Sequence, residues 1–210
     1  MFRHINKVVK VLVVVDFFYN SALASFAPIF AIFITDSIVG GSASVVGFAT
    51  ACYWITKSIF QLPIARFLDR TDGEKDDFWA MFFGYILVGL IPIAYVFASV
   101  PWHLYLIQIL NGFLMAWVVP AWYAIFTRHV DKWRISFEWS LESVFSVGLA
   151  NAGAAALGGI LVDRVGFDAL YIGASCVAVA SSFLLLGLRK HLLQKGDLER
   201  VLPERRVNRQ

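Results

Sequence analysis

Six long apolar stretches dominate this chain. They occupy residues 8–35, 45–68, 78–98, 104–126, 137–161 and 169–188. Each is close to or longer than the roughly 20 residues that an α-helix needs to cross the hydrocarbon core of a bilayer. None alternates polar and apolar residues as a barrel strand does, so the backbone amides must be satisfied inside helices. We name these stretches spans 1 to 6; they form a predicted transmembrane domain over residues 1–188.

The composition and the absence of reactive motifs exclude a soluble enzyme. Hydrophobic residues make up 59% of the 210 residues and charged residues only 16%. This composition differs strongly from that of a soluble domain. The four histidines lie outside the spans, and neither a His-Glu-x-x-His nor a Walker sequence occurs. Cys52 and Cys176 lie in apolar runs, so no disulfide framework or metal site is indicated. We therefore predict no enzymatic activity, no cofactor and no metal.

The positive charges predict the orientation of the chain. Of the 18 Lys and Arg residues, 16 lie before or at the start of span 1, around the turn from span 2 to span 3, between spans 4 and 5, or after span 6. By the positive-inside rule these connections and both termini are cytoplasmic. This placement indicates a multi-pass protein of the cell membrane whose partner is the lipid bilayer rather than nucleic acid. Residues 189–210 form a highly charged tail, either solvated or folded as a short surface helix.

Polar side chains are distributed unevenly among the spans. Spans 3 and 6 contain no charged residue and no Asn or Gln, whereas each of the other four carries at least two such residues. Intramembrane polar groups face a bundle interior or a water-filled cavity, so spans 1, 2, 4 and 5 are predicted to be inner and spans 3 and 6 peripheral. The candidates for binding a substrate or a coupling ion are Asp16, Asn20, Lys57, Gln61, Gln108, Asn111 and Asn151.

Two opposite charges lie at similar depths in spans 1 and 2. Asp16 is about 12 Å and Lys57 about 16 Å from the same membrane face, at 1.5 Å per helical residue. We predict that they pair, with Asn20 and Gln61 extending the contact one turn along. The pair either only fixes span 1 against span 2, or binds the charge of a substrate, or acts as a protonation switch. Glu142, nearer the end of span 5, is expected to pair with loop arginines.

An internal repeat relates the two halves of the membrane domain. The sequences FLDRTDG and LVDRVGF place Asp69 and Asp163 94 residues apart. Shifting spans 1 to 3 by 94 residues superimposes them on spans 4 to 6. Because span 2 ends inside and span 5 outside, residues 8–98 and 104–188 are predicted to be inverted three-helix repeats. Such repeats are a common feature of transporters.

Two segments resemble the major facilitator superfamily. Its signature after the second helix reads approximately Gly-x-Leu-Ala-Asp-Arg-x-Gly-Arg-Arg, which Asp69 and Arg70 match. Ala65 stands in place of the first glycine, Gly73 comes one residue late, and Lys75 stands where the family has a basic pair. The sequence GGILVDRVGF resembles the end of a six-helix half of this family.

Two departures from the family pattern bear on coupling. Gln108 is the counterpart of an arginine that the family often carries in helix 4. Gly158 and Gly159 are preceded by alanines, where the antiporter motif has a Gly-Pro. The resemblance therefore does not indicate an antiporter.

The resemblance implies a fold and a function. Usual members have two six-helix halves around a central cavity, and this chain resembles one half. It implies a half-size secondary transporter that moves a small solute by alternating access, as a homodimer joined through spans 2 and 5 or with a second, different half. Asp69, with Arg70 and Arg134 nearby, would be a conformational latch, or Asp69 would only stabilise its turn. The alternatives are a membrane subunit or scaffold that does not transport alone, and a channel.

Overall fold

The computed structural model describes residues 5–70 and 73–192, and every regular element in these ranges is helical. The α-helices are α1 Lys7–Ala24, α2 Phe30–Ser37, α3 Ala43–Leu68, α4 Lys75–Gly89, α5 Ile91–Val96, α6 Pro101–His129, α7 Ile135–Glu142 and α8 Ala150–Leu184. A π-helix, Ser143–Leu149, joins α7 to α8. Most of the charged tail, and residues 71 and 72 of the segment after span 2, lie outside the described residues.

The helices follow the predicted spans closely. Span 1 is formed by α1 and α2, span 2 by α3, span 3 by α4 and α5, and span 4 by α6. Span 5 consists of α7, the π-helix and the first part of α8. Span 6 is the remainder of α8. The two parts of α8 are separated at Gly166, whose φ of 80° and ψ of 174° lie in a region that is essentially restricted to glycine.

Four stretches are long and apolar enough to cross a membrane: Lys7–Ser37, Lys75–Val96, Pro101–His129 and Ile135–Leu188. The last has 54 residues and contains predicted spans 5 and 6. Helix α3 has 26 residues but is not among the four, since Lys57 and Arg66 make it more polar. The chain is thus an all-helical, multi-pass membrane protein.

Helix α6 contacts two neighbouring helices extensively. It packs along α3 on one side and α4 on another, while α1 packs against α8 and α4 also contacts α8. Two glycines allow backbones of different elements to approach closely: Gly112 of α6 lies against the backbone of α3, and Gly158 of α8 lies against the backbone of Ser25. Small residues serve this purpose in membrane bundles because backbones can then pack directly together.

The corresponding prolines of the two predicted repeats have different effects on their helices. Span 1 is interrupted by a 3₁₀ turn, Ala27–Ile29, that contains Pro28. Helix α6 continues through Pro120. Proline lacks an N–H group and its ring crowds the preceding turn. Of these two prolines, only Pro28 coincides with a break in the α-helix. The break brings Phe26 and Phe33 into an aromatic cluster with Tyr171.

Candidate functional site

A cavity of about 350 Å³ lies between α1, α4, α6, α7 and the π-helix. We call it the Asp16 cavity. Its floor is formed by buried polar and aromatic side chains, and Tyr123, Ser143 and Val147 at its mouth are exposed. Its polar and aromatic lining includes Asp16, Tyr19, Asn20, Tyr85, Trp122, Tyr123, Trp139, Glu142 and Ser143.

Asp16 is held at the floor of this cavity by a chain of tyrosines. Its side chain is 3% exposed and accepts a hydrogen bond from the Tyr85 hydroxyl. The Tyr19 hydroxyl in turn donates to the Tyr85 carbonyl oxygen at 3.3 Å, and the two tyrosine rings are 4.2 Å apart. The indole N–H of Trp122 lies close to Asp16 but makes no hydrogen bond. The carboxylate is therefore oriented by α4 and α6 as well as by its own helix.

Glu142 is a second carboxyl group in the same cavity, and it is 7% exposed. Its Oε2 atom accepts a hydrogen bond from Ser146 Oγ at 2.7 Å. The same Ser146 Oγ atom lies 3.1 Å from the carbonyl oxygen of Val13 in α1. The prediction that Glu142 pairs with loop arginines is wrong. Span 5 packs against α1, so Glu142 is buried there, and its hydrogen bond comes from Ser146, one helical turn later.

The predicted pair of Asp16 and Lys57 does not form. Helix α3 packs on α6, so Lys57 faces a different part of the bundle from Asp16. The Lys57 Nζ atom lies 4.9 Å from the ring centre of Trp54 and 5.8 Å from that of Tyr53, a cation–π arrangement. Equal depth along two helices was a poor guide because it says nothing about which faces meet.

A second cavity, of about 240 Å³, contains two other predicted residues. We call it the Gln108 cavity. Gln108 and Asn111 of α6 line it together with Thr50 and Tyr53 of α3, and Asn111 Oδ1 is buried without a hydrogen-bond partner. Leu23 contributes to both cavities. Polar groups of spans 1, 2 and 4 therefore line two adjoining cavities.

The remaining predicted residues are distributed more widely. Asn20 lines the Asp16 cavity, as expected from its position one turn after Asp16. Gln61 is partly buried and lines neither cavity. Asn151 is exposed, and its Nδ2 atom donates to the Val147 carbonyl oxygen at 2.5 Å.

Span 3 is less peripheral than its apolar sequence predicted. Tyr85 of α4 lines the Asp16 cavity and binds Asp16, while Tyr95 of α5 lines the Gln108 cavity. The prediction counted only charged residues and the amides Asn and Gln. Counting the hydroxyl groups of tyrosine would have identified span 3 as a contributor.

A buried charge cluster at one end of α4 and α6 was missed by the sequence analysis. Arg128 Nη1 lies 2.5 Å from Asp77 Oδ2 and 4.0 Å from Glu74 Oε1, and His129 Nδ1 lies 3.5 Å from Glu74 Oε1. Both carboxylates are almost fully buried. We call this the Arg128 cluster. Its signal was present in the sequence: Glu74 and Asp77 precede span 3, and Arg128 and His129 follow span 4.

The three predicted latch residues lie on the surface. Asp69 follows the last residue of α3, and Arg134 precedes the first residue of α7. Both are exposed, and so is Arg70. They are therefore accessible to a partner surface.

Comparison with known proteins identifies the family of this chain. The family model described as Major Facilitator Superfamily matches residues 12–207. The chain belongs to this superfamily. Its members are membrane transporters rather than enzymes, which agrees with a multi-pass helical bundle containing cavities. Comparison with curated proteins and with solved structures gives no significant match.

Proposed function

We propose that this chain is a half-size secondary transporter that moves a small solute by alternating access, as a homodimer in the cell membrane with both termini cytoplasmic. The observation that carries the proposal is the Asp16 cavity in a chain of the major facilitator superfamily. Burying two carboxyl groups in a membrane bundle is costly. A bundle that served only as a scaffold would have no need for either group at these positions.

The helix lengths support six spans arranged as two inverted repeats. Helix α3 has 26 residues and is therefore about 39 Å long, enough to cross the roughly 30 Å hydrocarbon core. The break at Gly166 divides the last apolar stretch into two segments of membrane-spanning length. With the repeat of Asp69 and Asp163, this count favours three helices followed by three of opposite topology.

The surface of span 5 favours a second half docking there. Added side-chain carbons at Gly153 and Gly159 would meet nothing within 4 Å, and Asn151 is exposed in the same span. Small residues and a polar amide are typical of helix contacts in membranes rather than of lipid-facing surfaces. A two-fold dimer would place span 5 of one subunit against span 2 of the other, and closed two-fold dimers are the commonest oligomers.

Disulfide cross-linking tests this arrangement. Leu62 on α3 and Val144 on the π-helix are both exposed and lie near the same membrane face. With Cys52 and Cys176 first replaced by serine, the Leu62→Cys, Val144→Cys double variant should form a covalent dimer under oxidising conditions. Non-reducing electrophoresis detects the covalent dimer. Each single-cysteine variant measures the background of cross-links formed by random collision.

A matched pair on spans 3 and 6 is the control. Leu87→Cys and Ile172→Cys are also exposed positions but lie away from the proposed interface. Cross-linking of this pair alone would contradict the proposed dimer. Saturable solute uptake by reconstituted vesicles tests transport itself. Folded protein without uptake would favour the scaffold, and uptake without saturation would favour the channel.

A further inference from the structure

The charge of the Asp16 cavity is uncompensated by the residues that line it. Asp16 and Glu142 both face the cavity, and among the described residues its lining includes no Lys, Arg or His. Two carboxylates that share a buried site repel one another, and each lacks the solvation that water would provide. A cation in the cavity would relieve both penalties at once.

The walls of the cavity fit an organic cation better than a metal ion. Five aromatic residues line it: Tyr19, Tyr85, Trp122, Tyr123 and Trp139. Aromatic faces attract ammonium groups and also accommodate apolar groups. Calcium and magnesium take six or more oxygen ligands and zinc about four protein ligands or waters, and among the described residues no group of three His, Cys, Asp or Glu side chains could hold a metal ion.

The wall and the mouth of the cavity provide a third feature. Trp122 is 8% exposed, and its indole N–H is closed to the cavity and lies close to Asp16. Trp122 therefore presents its apolar ring, rather than a donor, to a ligand. The widened π-helix forms part of the mouth, and such distortions are frequent at functional sites.

We infer that the Asp16 cavity binds an organic ammonium ion that carries an apolar body. Asp16 and Glu142 attract the ammonium group, and the aromatic rings enclose the body. This inference rests on the proposed function, because it names the class of solute that the transporter would move. Binding itself requires neither transport nor a dimer.

The test compares three compounds with the same phenyl and hydroxyl groups: phenylethanolamine, a cation; phenylethylene glycol, which is neutral; and mandelate, an anion. Equilibrium dialysis against the purified full chain in detergent at neutral pH measures their binding. Phenylethanolamine should bind about tenfold or more tightly than the glycol, since one charge contact in a buried site is worth at least 1.4 kcal/mol. Mandelate should not bind.

The variants locate the site. Asp16→Asn and Glu142→Gln should each weaken phenylethanolamine binding about tenfold or more. Asp163→Asn, at an exposed carboxylate outside the cavity, should leave it unchanged. Equal binding of the three compounds, absence of cation binding, or equal weakening by Asp163→Asn would overturn the inference. If a charge-neutralising variant does not fold, the comparison of compounds on the unmodified chain still decides.

Failure of the inference and failure of the proposed function give different results. Asp16-dependent binding of the cation without uptake by vesicles would support the site and contradict transport. Saturable uptake of another solute, without cation binding, would support transport and overturn the site.

Discussion

Arg128 is the residue whose loss should destabilise the protein most directly. It is the cation 2.5 Å from the buried Asp77 carboxylate and 4.0 Å from that of Glu74. Arg128→Met retains much of the apolar part of the side chain but removes the guanidinium group that lies near both carboxylates. We expect the free energy of unfolding to fall by about 2 to 4 kcal/mol, because a buried charge deprived of its partner is poorly solvated. Denaturant titration in mixed micelles measures this change.

Arg134 provides the matched control for Arg128. It is exposed and precedes α7, so Arg134→Met should change the stability by no more than about 0.5 kcal/mol. Adding Asp77→Asn to Arg128→Met should recover part of the lost stability, since the Asp77 charge that Arg128 no longer compensates is then removed. Equal losses for Arg128→Met and Arg134→Met would contradict the role assigned to the Arg128 cluster.

At the scale of the elements, the contact between α1 and α8 depends on Gly158. A side-chain carbon added there would overlap the backbone carbonyl group of Ser25, so the two helices would have to separate. Gly158→Ala should therefore destabilise the protein by about 1 to 3 kcal/mol, the usual penalty for overpacking. Thermal unfolding in detergent is the measurement.

Replacing Gly173 tests whether any glycine-to-alanine change in α8 would destabilise the protein. It lies in the same helix, and an added carbon would meet nothing within 4 Å. Gly173→Ala should leave the melting temperature unchanged or raise it slightly, because alanine favours a helix more than glycine does. A similar loss of stability in both variants would show that helix flexibility, rather than the contact with Ser25, is the cause.

At the scale of the whole molecule, Asp69 is proposed to hold the cytoplasmic side of the dimer closed. It is exposed at the end of α3, where the start of α7 in the other subunit would present free backbone amides. A carboxylate near such a helix start is stabilised by about 0.3 to 1 kcal/mol. Asp69→Asn should therefore shift the ratio of outward-open to inward-open states about two- to fivefold toward inward-open.

Spin labels at Lys132→Cys in the background lacking native cysteines report this change as one distance across the dimer. Lys132 is exposed between α6 and α7, so a label there does not disturb packing. Asp163→Asn, at the counterpart in the second repeat, should leave the distance distribution unchanged. Identical distributions for the unmodified protein and Asp69→Asn would leave Asp69 with only a local role in its turn.

Much of the fold could be predicted from apolar length, whereas the partners within the site could not. The spans agree with the helices because hydrophobic length and helix formation are linked in lipid. The predicted pair of Asp16 and Lys57 was wrong because α3 packs on α6 rather than beside Asp16. Tyr85, the actual partner of Asp16, lies 69 residues away in a span with no charged residue, and no local pattern connects them.

The sequence by itself determined that the chain is a helical, multi-pass membrane protein of the major facilitator superfamily. These properties follow from composition, segment length and short motifs, each contained in a continuous piece of chain. Only the tertiary structure decided that Asp16 and Glu142 share one cavity and that Arg128 bridges toward two buried acids. Such groupings depend on the rotation of each helix about its axis, which is set by packing among several helices and not by any one of them.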